Sequence, residues 1–437
     1  MKFFWITLNV FLIIGLGAGG FLLFRGYQSF SANNPGLAPP PQVVDLRQNP
    51  VHLESSIRLV MQSASLLEGE AILAPAGEPA RFTLRPEIAL PSETDDFVHS
   101  YVSTHPNLED EIQVAWQSDS GGELKSFGEG RYEFIPDATG GPVILRFRGV
   151  LDRGGLDNHP FTLSGETAIK FLFPTPIDQV PQQALEDIGK FPVVGSKSIL
   201  APYRDYYRPP THLYRVDEEN QNWRISPNFE LGDFDLHFDY TTPDAPRRNQ
   251  LPQYIALDPK LVLKLEQILE GIREQGFEAP TLSILAGFRS PAYNHWKIEQ
   301  PGQGGAYTSN YSRHIYGCAA DFYVDIDGDG KMDDMNGDGK IDMEDAAWIR
   351  DNVVDAVDCQ AVERMPDLKG ACGIYPEHDI PNGPVQTPNL HVDIRGWEGG
   401  PDLSRWDIDS NNKRRTLWSH WDKHPCPEEA PIDLATQ

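Results

Sequence analysis

Basic residues are scarce in this chain: 37 Lys and Arg stand against 64 Asp and Glu over 437 residues, a formal charge of −27. Nucleic-acid binders bring basic patches that release counterions from phosphate, so this balance excludes that class of partner. Cysteine is scarcer still. Cys318, Cys359, Cys372 and Cys426 are the whole complement, and all four lie in the last third. One or two disulfides there fit an oxidising compartment, with three pairings of the four open. Charge is absent altogether from residues 3–24, a run of 22. Apolar residues are plentiful by contrast, 40% hydrophobic and 10% aromatic, which excludes disorder throughout. At about 100 to 200 residues per domain, the length predicts two or three domains.

The uncharged run reads as a membrane anchor. As a helix rising about 1.5 Å per residue, it would cross a hydrocarbon core of about 30 Å. A cleaved signal peptide is the rival reading, but its apolar region would be about 7 to 15 residues with small residues at the cleavage site, and Phe30-Ser31-Ala32 puts a bulky one there. We therefore expect a signal anchor over residues 1–32, with the rest of the chain outside the cytoplasm: tethered to the inner (cytoplasmic) membrane, and periplasmic in a Gram-negative host. A Pro-rich tether follows over residues 33–50.

Residues 51–173 alternate with period two. Ile112, Val114 and Trp116 lie between polar neighbours, and Val143, Leu145 and Phe147 alternate with Arg146 and Arg148. With Gly and Asp turns between the segments, the pattern predicts an all-β immunoglobulin-like sandwich, a spacer or adhesion module without a catalytic cluster. Residues 174–252 carry eleven prolines yet many aromatics, and so predict an irregular segment packed on the last domain. From Asp258, a plausible N-cap before Pro259, the residues Leu261, Val262, Leu265, Ile268, Leu269 and Ile272 recur at helical spacing. A strand and a turn follow, over residues 281–291. Residues 253–437 therefore read as an α+β domain, an antiparallel sheet with helices.

This last domain holds the residues suited to chemistry. Two imidazoles and a carboxylate are what a catalytic zinc uses when its fourth position is kept for water, and His314, Asp321 and His391 would supply them. The surrounding residues carry a resemblance. Gly287-Phe288-Arg289-Ser290-Pro291 with Asn294, then Ser312-Arg313-His314 with Gly317 and Asp321, then His391-Val392-Asp393-Ile394-Arg395-Gly396 with Arg405-Trp406 make the chain similar to the zinc D-Ala-D-Ala metallopeptidases and VanY-like carboxypeptidases. That group shares a superfamily with lysostaphin and hedgehog, and the nearest likeness is to its YcbK-like murein endopeptidases. The resemblance covers about residues 185 to 410. It implies zinc on His314, Asp321 and His391, with Arg289 holding a substrate carboxylate, a task that suits a planar guanidinium.

The carboxypeptidase pattern also places an acid three residues before the last histidine ligand, where this chain has Pro388. Asp393, two residues beyond His391 and on the same strand face, is the first candidate for general base or for orienting a ligand. His378 is the second.

A calcium signal lies between the zinc segments. Asp334, Asn336, Asp338, Lys340, Asp342 and Asp345 occupy ligand positions of a calcium loop with Gly339 at its sixth position, and Asp325, Asp327, Asp329 and Asp333 repeat its first half as a second site. Residues 325–345 hold nine acids and two bases. The bound calcium would be structural.

The expected function is zinc-dependent hydrolysis of amide bonds in peptidoglycan stem peptides or cross-links, with endopeptidase favoured. A D-alanyl carboxypeptidase is one alternative. A non-catalytic, zinc- and calcium-stabilised wall-binding module is the other, since hedgehog keeps this fold for recognition. The partner of the sandwich is left open.

Overall fold

The computed structural model describes residues 21–23, 43–45, 51–53, 56–63, 67–235 (apart from 68, 93, 95, 138–139, 155, 157–159 and 199–200), 251–299, 308–377 (apart from 365–367), 387–394, 405–408, 413–417, 420–423 and 426. Of the expected anchor, only Phe21–Leu23 is among them, as a short strand antiparallel to Val43–Asp45; the rest of that run, and residues 33–42 and 46–50 of the tether expected over 33–50, lie outside. No helix among the described residues is long and apolar enough to cross a membrane. The chain falls into two compact units. One comprises residues 1–64, 79–137 and 143–169; the other comprises residues 65–78, 138–142 and 170–437.

Two facing sheets build the first unit. In one sheet the order is Val51–Leu53, Phe161–Phe173, Gly141–Asp152, Gln113–Ser118, and in the other it is Ile57–Ser63, Ala80–Ile88, Arg131–Ile135, Glu123–Ser126. Alternation decides which side chains fill the space between them. Val143, Leu145 and Phe147 are buried while Arg146 and Arg148 point out, and Phe147 meets Phe82 of the opposite sheet edge-on with ring centres 5.9 Å apart. Two features depart from a plain antiparallel sandwich. Val51–Leu53 runs parallel to Phe161–Leu163, and the helix Asp96–Thr104 lies in the chain between strands. Trp116, expected inside, is 40% exposed because Gln113–Ser118 is an edge strand; its ring still touches Phe134.

The second unit is organised by a six-stranded sheet in the order Ser283–Ala286, Ala319–Tyr323, Asn389–Asp393, Cys372–Tyr375, Arg405–Ile408, Arg414–Thr416. Its pairs are antiparallel except for Cys372–Tyr375 with Arg405–Ile408. The helix predicted from Asp258 spans Pro259–Glu274. Asp258 accepts from the Lys260 amide at 3.0 Å, and the six apolar residues at helical spacing are all buried. Part of the segment expected to be irregular is regular: helix Gln182–Ile188, strand His212–Val216 and the 3-10 turn Leu231–Phe234 all belong to this unit. Phe229 and Phe234 are fully buried in it.

The long helix also buries a charge that its apolar spacing does not predict. Lys264 lies on its buried face with no exposure at all, and its ammonium donates to Asp358 Oδ1 at 2.7 Å and to the Asp393 carbonyl at 3.0 Å. The other Asp358 oxygen accepts from Arg405 Nη2 at 2.8 Å; Arg405 Nε reaches Asp355 Oδ1 at 2.7 Å, and Asp355 Oδ2 meets His420 Nε2 at 2.6 Å. Burial works to raise the Asp355 carboxyl, but His420 and Arg405 outweigh it and hold it below its ordinary value. Next to Asp358, Cys359 is bonded to Cys426, so one disulfide forms of the one or two expected. Cys318 and Cys372 remain thiols, pushed by burial up to about 11 and about 12, and so are poor nucleophiles at neutral pH.

Removing one member of a buried charge pair leaves the other uncompensated. Lys264→Met should lower unfolding stability by about 3 to 5 kcal/mol, and the double variant Lys264→Met/Asp358→Asn should lose less than the sum of the single variants. Denaturant unfolding of the four proteins measures both.

Candidate metal centre

The central strands each read as apolar residues on one face with a polar residue between them. Ala320 and Phe322, like Leu390 and Val392, are buried in the core, so Asp321 and His391 project from the other face. The two strands are neighbours, and their register sets Asp321 directly opposite His391. His314 comes from the 3-10 turn Arg313–Tyr316 just before the first of them. Gly317 ends that turn with φ +70°, and its carbonyl accepts from the Asp258 amide at 2.9 Å, which ties the turn to the start of the long helix. A side chain at Gly317 would also strike the backbone of Ala256. The spacing of seven from His314 to Asp321 is thus one tight turn plus entry into a strand.

Three donor atoms converge. His314 Nε2 lies 3.1 Å from Asp321 Oδ1 and 3.1 Å from His391 Nδ1, and His391 Nδ1 lies 2.8 Å from Asp321 Oδ1. All three residues are buried. A tetrahedral zinc with bonds of 2.0 to 2.2 Å has ligand atoms about 3.3 to 3.6 Å apart, so this triangle needs to open by only about 0.2 to 0.8 Å to become one face of such a site. The tautomer also fits. His314 Nδ1 donates to the Gly287 carbonyl at 2.8 Å, leaving the lone pair of its neutral ring on Nε2, toward the triangle. Burial lowers the His314 pKa to about 4 despite the pull of Asp321, so the ring is neutral at ordinary pH. Burial works to raise the Asp321 carboxyl, but His314 and His391 outweigh it and hold it well below the usual carboxylate range. His391 is also pushed down by burial, and the carboxylates of Asp321 and Asp393 raise it in spite of that. A neutral imidazole, a carboxylate and a second imidazole between two acids are a donor set suited to a divalent cation of zinc type.

Arg289 is buried beside the triangle. Its backbone amide donates to the His314 carbonyl at 3.2 Å, and its Nη2 is 3.5 Å from Asp321 Oδ2. Its Nε is sealed from water and has no acceptor among the described residues. Asp393 takes a different position from the one a general base needs. Its Oδ2 lies 3.7 Å from His391 Nε2, the nitrogen facing away from the triangle, while Oδ1 accepts from the Ala371 amide at 2.8 Å. That is the place of a group that orients His391. His378 lies outside the described residues.

The acidic insertion holds two turns of the same form. Asp325 Oδ1 accepts from the Gly328 amide at 2.7 Å and Oδ2 from Gly330 at 2.9 Å; Asp334 repeats this with Gly337 and Gly339, both at 2.7 Å. Carboxylate oxygens of Asp325, Asp327 and Asp333 come within 4.8 Å of one another, whereas among the described residues the second turn forms no such group. Asp329 and Asp338 accept from the Lys331 and Lys340 amides, and Asn336 Oδ1 from Asp338. Asp342 and Asp345 also stand at the start of a helix. They form the capping box of helix Met343–Ile349, and Asp345 is fully buried, also accepting from the amides of Met335 and Asn336. A further gathering, Asp351, Asp355 and His420, is answered by Arg350 and Arg405 and is an ion-pair network.

Replacing His314, Asp321 or His391 by Ala should reduce bound zinc from one equivalent to near zero, read by elemental analysis of the purified protein, while Cys318→Ala should leave it unchanged. No family model, no curated protein and no solved structure matches this chain.

Proposed function

We propose that the protein is a zinc-dependent peptidase of peptidoglycan, hydrolysing amide bonds of stem peptides or cross-links, with endopeptidase favoured over D-alanyl carboxypeptidase. The observation that carries the reading is the triangle of His314 Nε2, Asp321 Oδ1 and His391 Nδ1, with its tautomer set by Gly287. Three protein donors leave a fourth tetrahedral position open, which is the pattern of catalytic rather than structural sites. Zinc bound there would polarise a scissile carbonyl and lower the pKa of water to about 7. Around it the chain's own residues hold and orient. His314 and Asp321 are tied to the turn and strand that carry them, and Asp393 holds His391 from its Nε2 side. Arg289 offers a buried guanidinium whose Nε lacks an acceptor among the described residues, which suits a carboxylate or carbonyl oxygen of a peptide. The peptidoglycan substrate comes from the resemblance around Gly287 to Pro291, Ser312 to Asp321 and His391 to Gly396.

The disulfide Cys359–Cys426 supports an extracytoplasmic location, in keeping with an N-terminal anchor. The two alike turns at Asp325 and Asp334 support calcium as a structural ion. A wall-binding module is the second reading. One observation favours it: among the described residues the donor group holds no fourth acid or imidazole that would serve as a base.

Digestion of purified muropeptides, with and without chelator, separates the readings. Cleavage of cross-linked dimers identifies an endopeptidase, loss of a terminal D-alanine identifies a carboxypeptidase, and no cleavage by zinc-loaded protein rejects both. Arg289→Ala should reduce kcat/KM by about 10- to 100-fold, the loss of a charged hydrogen bond, with zinc content retained. Calcium should raise the melting temperature of the wild-type protein and have a smaller effect on Asp325→Ala and Asp334→Ala, as scanning calorimetry with and without calcium would show.

A further inference from the structure

The metal-facing residues belong to a longer row. Across the second unit's sheet, Asp321 is paired with His391, His391 with Gly373, and Gly373 with Trp406. Residues directly opposite one another on neighbouring strands project from the same face. The row therefore runs from carboxylate to imidazole to an empty place to an indole.

Gly373 supplies the empty place. A Cβ there would lie 2.0 Å from Trp406 Cε2 and 2.1 Å from Cζ2, a distance real Cβ atoms do not show. The indole thus lies over the glycine and leans toward His391, its ring centre 5.7 Å from the imidazole with planes 42° apart. On the other side His314 meets His391 at 4.9 Å and 61°. The His391 ring is therefore held between two rings, with Asp393 at its Nε2 edge. Trp406 is itself fixed. Tyr375 contacts it edge-on at 5.0 Å, and the Arg414 guanidinium lies 4.5 Å from its ring centre.

A histidine that presents Nδ1 has its donor atom close to its own backbone, so a modest rotation of the ring carries the lone pair away from the other two donors. The constraint on that rotation comes from what touches the ring. We propose that Trp406, seated on Gly373, is a positioning residue for the metal centre: it braces the His391 imidazole so that Nδ1 faces His314 and Asp321. This rests on the reading of His391 as a metal ligand, and it adds two residues that act through that ligand and not on substrate.

Three variants of the full chain test it: Trp406→Ala removes the brace, Gly373→Ala pushes it out of place with a single methyl, and Trp406→Phe keeps a ring over the glycine. Zinc affinity, measured by competition with a chromophoric chelator at a temperature where each variant is folded, should fall about 10- to 100-fold for the first two, the scale set by residues that orient a ligand. Trp406→Phe should stay within about threefold of wild type. The ring-nitrogen NMR signals of His391 in metal-free protein, identified by their loss in His391→Gln, should move in the first two variants and stay in the third.

A role limited to packing would lower the melting temperature and leave zinc affinity and the His391 signals unchanged, and that result overturns the proposal. So does a loss in Trp406→Phe as large as in Trp406→Ala, because it would assign the effect to the indole N–H. Should Trp406→Ala fail to fold, the other two variants decide. A wild-type protein that binds no zinc would refute the peptidase reading, and the His391 signals would still decide whether the brace exists.

Discussion

A buried carboxylate has to be answered by charge or by hydrogen-bond donors, and Asp321 is the carboxylate on which this centre turns. It sits in the middle of a sheet, away from water, where ionisation is unfavourable unless partners are fixed around it. His314, His391 and Arg289 are those partners, and each comes from a different part of the chain. The same pressure that makes the site suitable for a cation makes it costly to leave incomplete. The tight turn closed at Gly317 and the register of the central strands both serve to keep donors around this one oxygen.

The opposite face of the sheet meets the same problem with ion pairs. Asp355 and Asp358 are buried there, and Lys264, Arg405 and His420 neutralise them through short contacts. The two systems touch at one strand end. Lys264 donates to the Asp393 carbonyl, while the Asp393 side chain stands behind His391. Arg405 and Trp406 are neighbours on one strand that point to opposite faces, the first into the ion-pair network and the second over Gly373 beside His391. The segment that ends in the Cys359–Cys426 bond therefore contributes to both faces of the sheet.

Much of the local structure was legible because it depends on near neighbours. The helix Pro259–Glu274 follows from its cap and its apolar spacing, and the alternation around Val143 to Phe147 follows from period two. Lys264 was not legible as a core residue, since a lysine at a buried helical position makes sense only once Asp358, 94 residues later, is placed against it. Strand periodicity predicts that Asp393 faces the same way as His391. Which edge of the imidazole it met depended on the ring's rotation, and that is set by His314 and Trp406, not by anything local to the strand. Asp342 and Asp345 satisfied the calcium-loop spacing and equally satisfied a capping box, because both patterns call for acids three apart at the start of a helix.

Covalent order supplies the residue types available for chemistry and their separation along the chain: two histidines and an aspartate in strand-like or turn-like settings, an arginine two residues after a glycine, and an acidic insertion with paired glycines. Those are properties of covalent order and short-range preference. That Asp321 faces His391 and that Gly373 leaves room for Trp406 in the same row follow from the assembled sheet, because strand register joins residues far apart in sequence through backbone hydrogen bonds that no single strand specifies. The tertiary structure also decides which nitrogen of each imidazole faces the centre, since that depends on the carbonyl, carboxylate and rings packed around it in three dimensions.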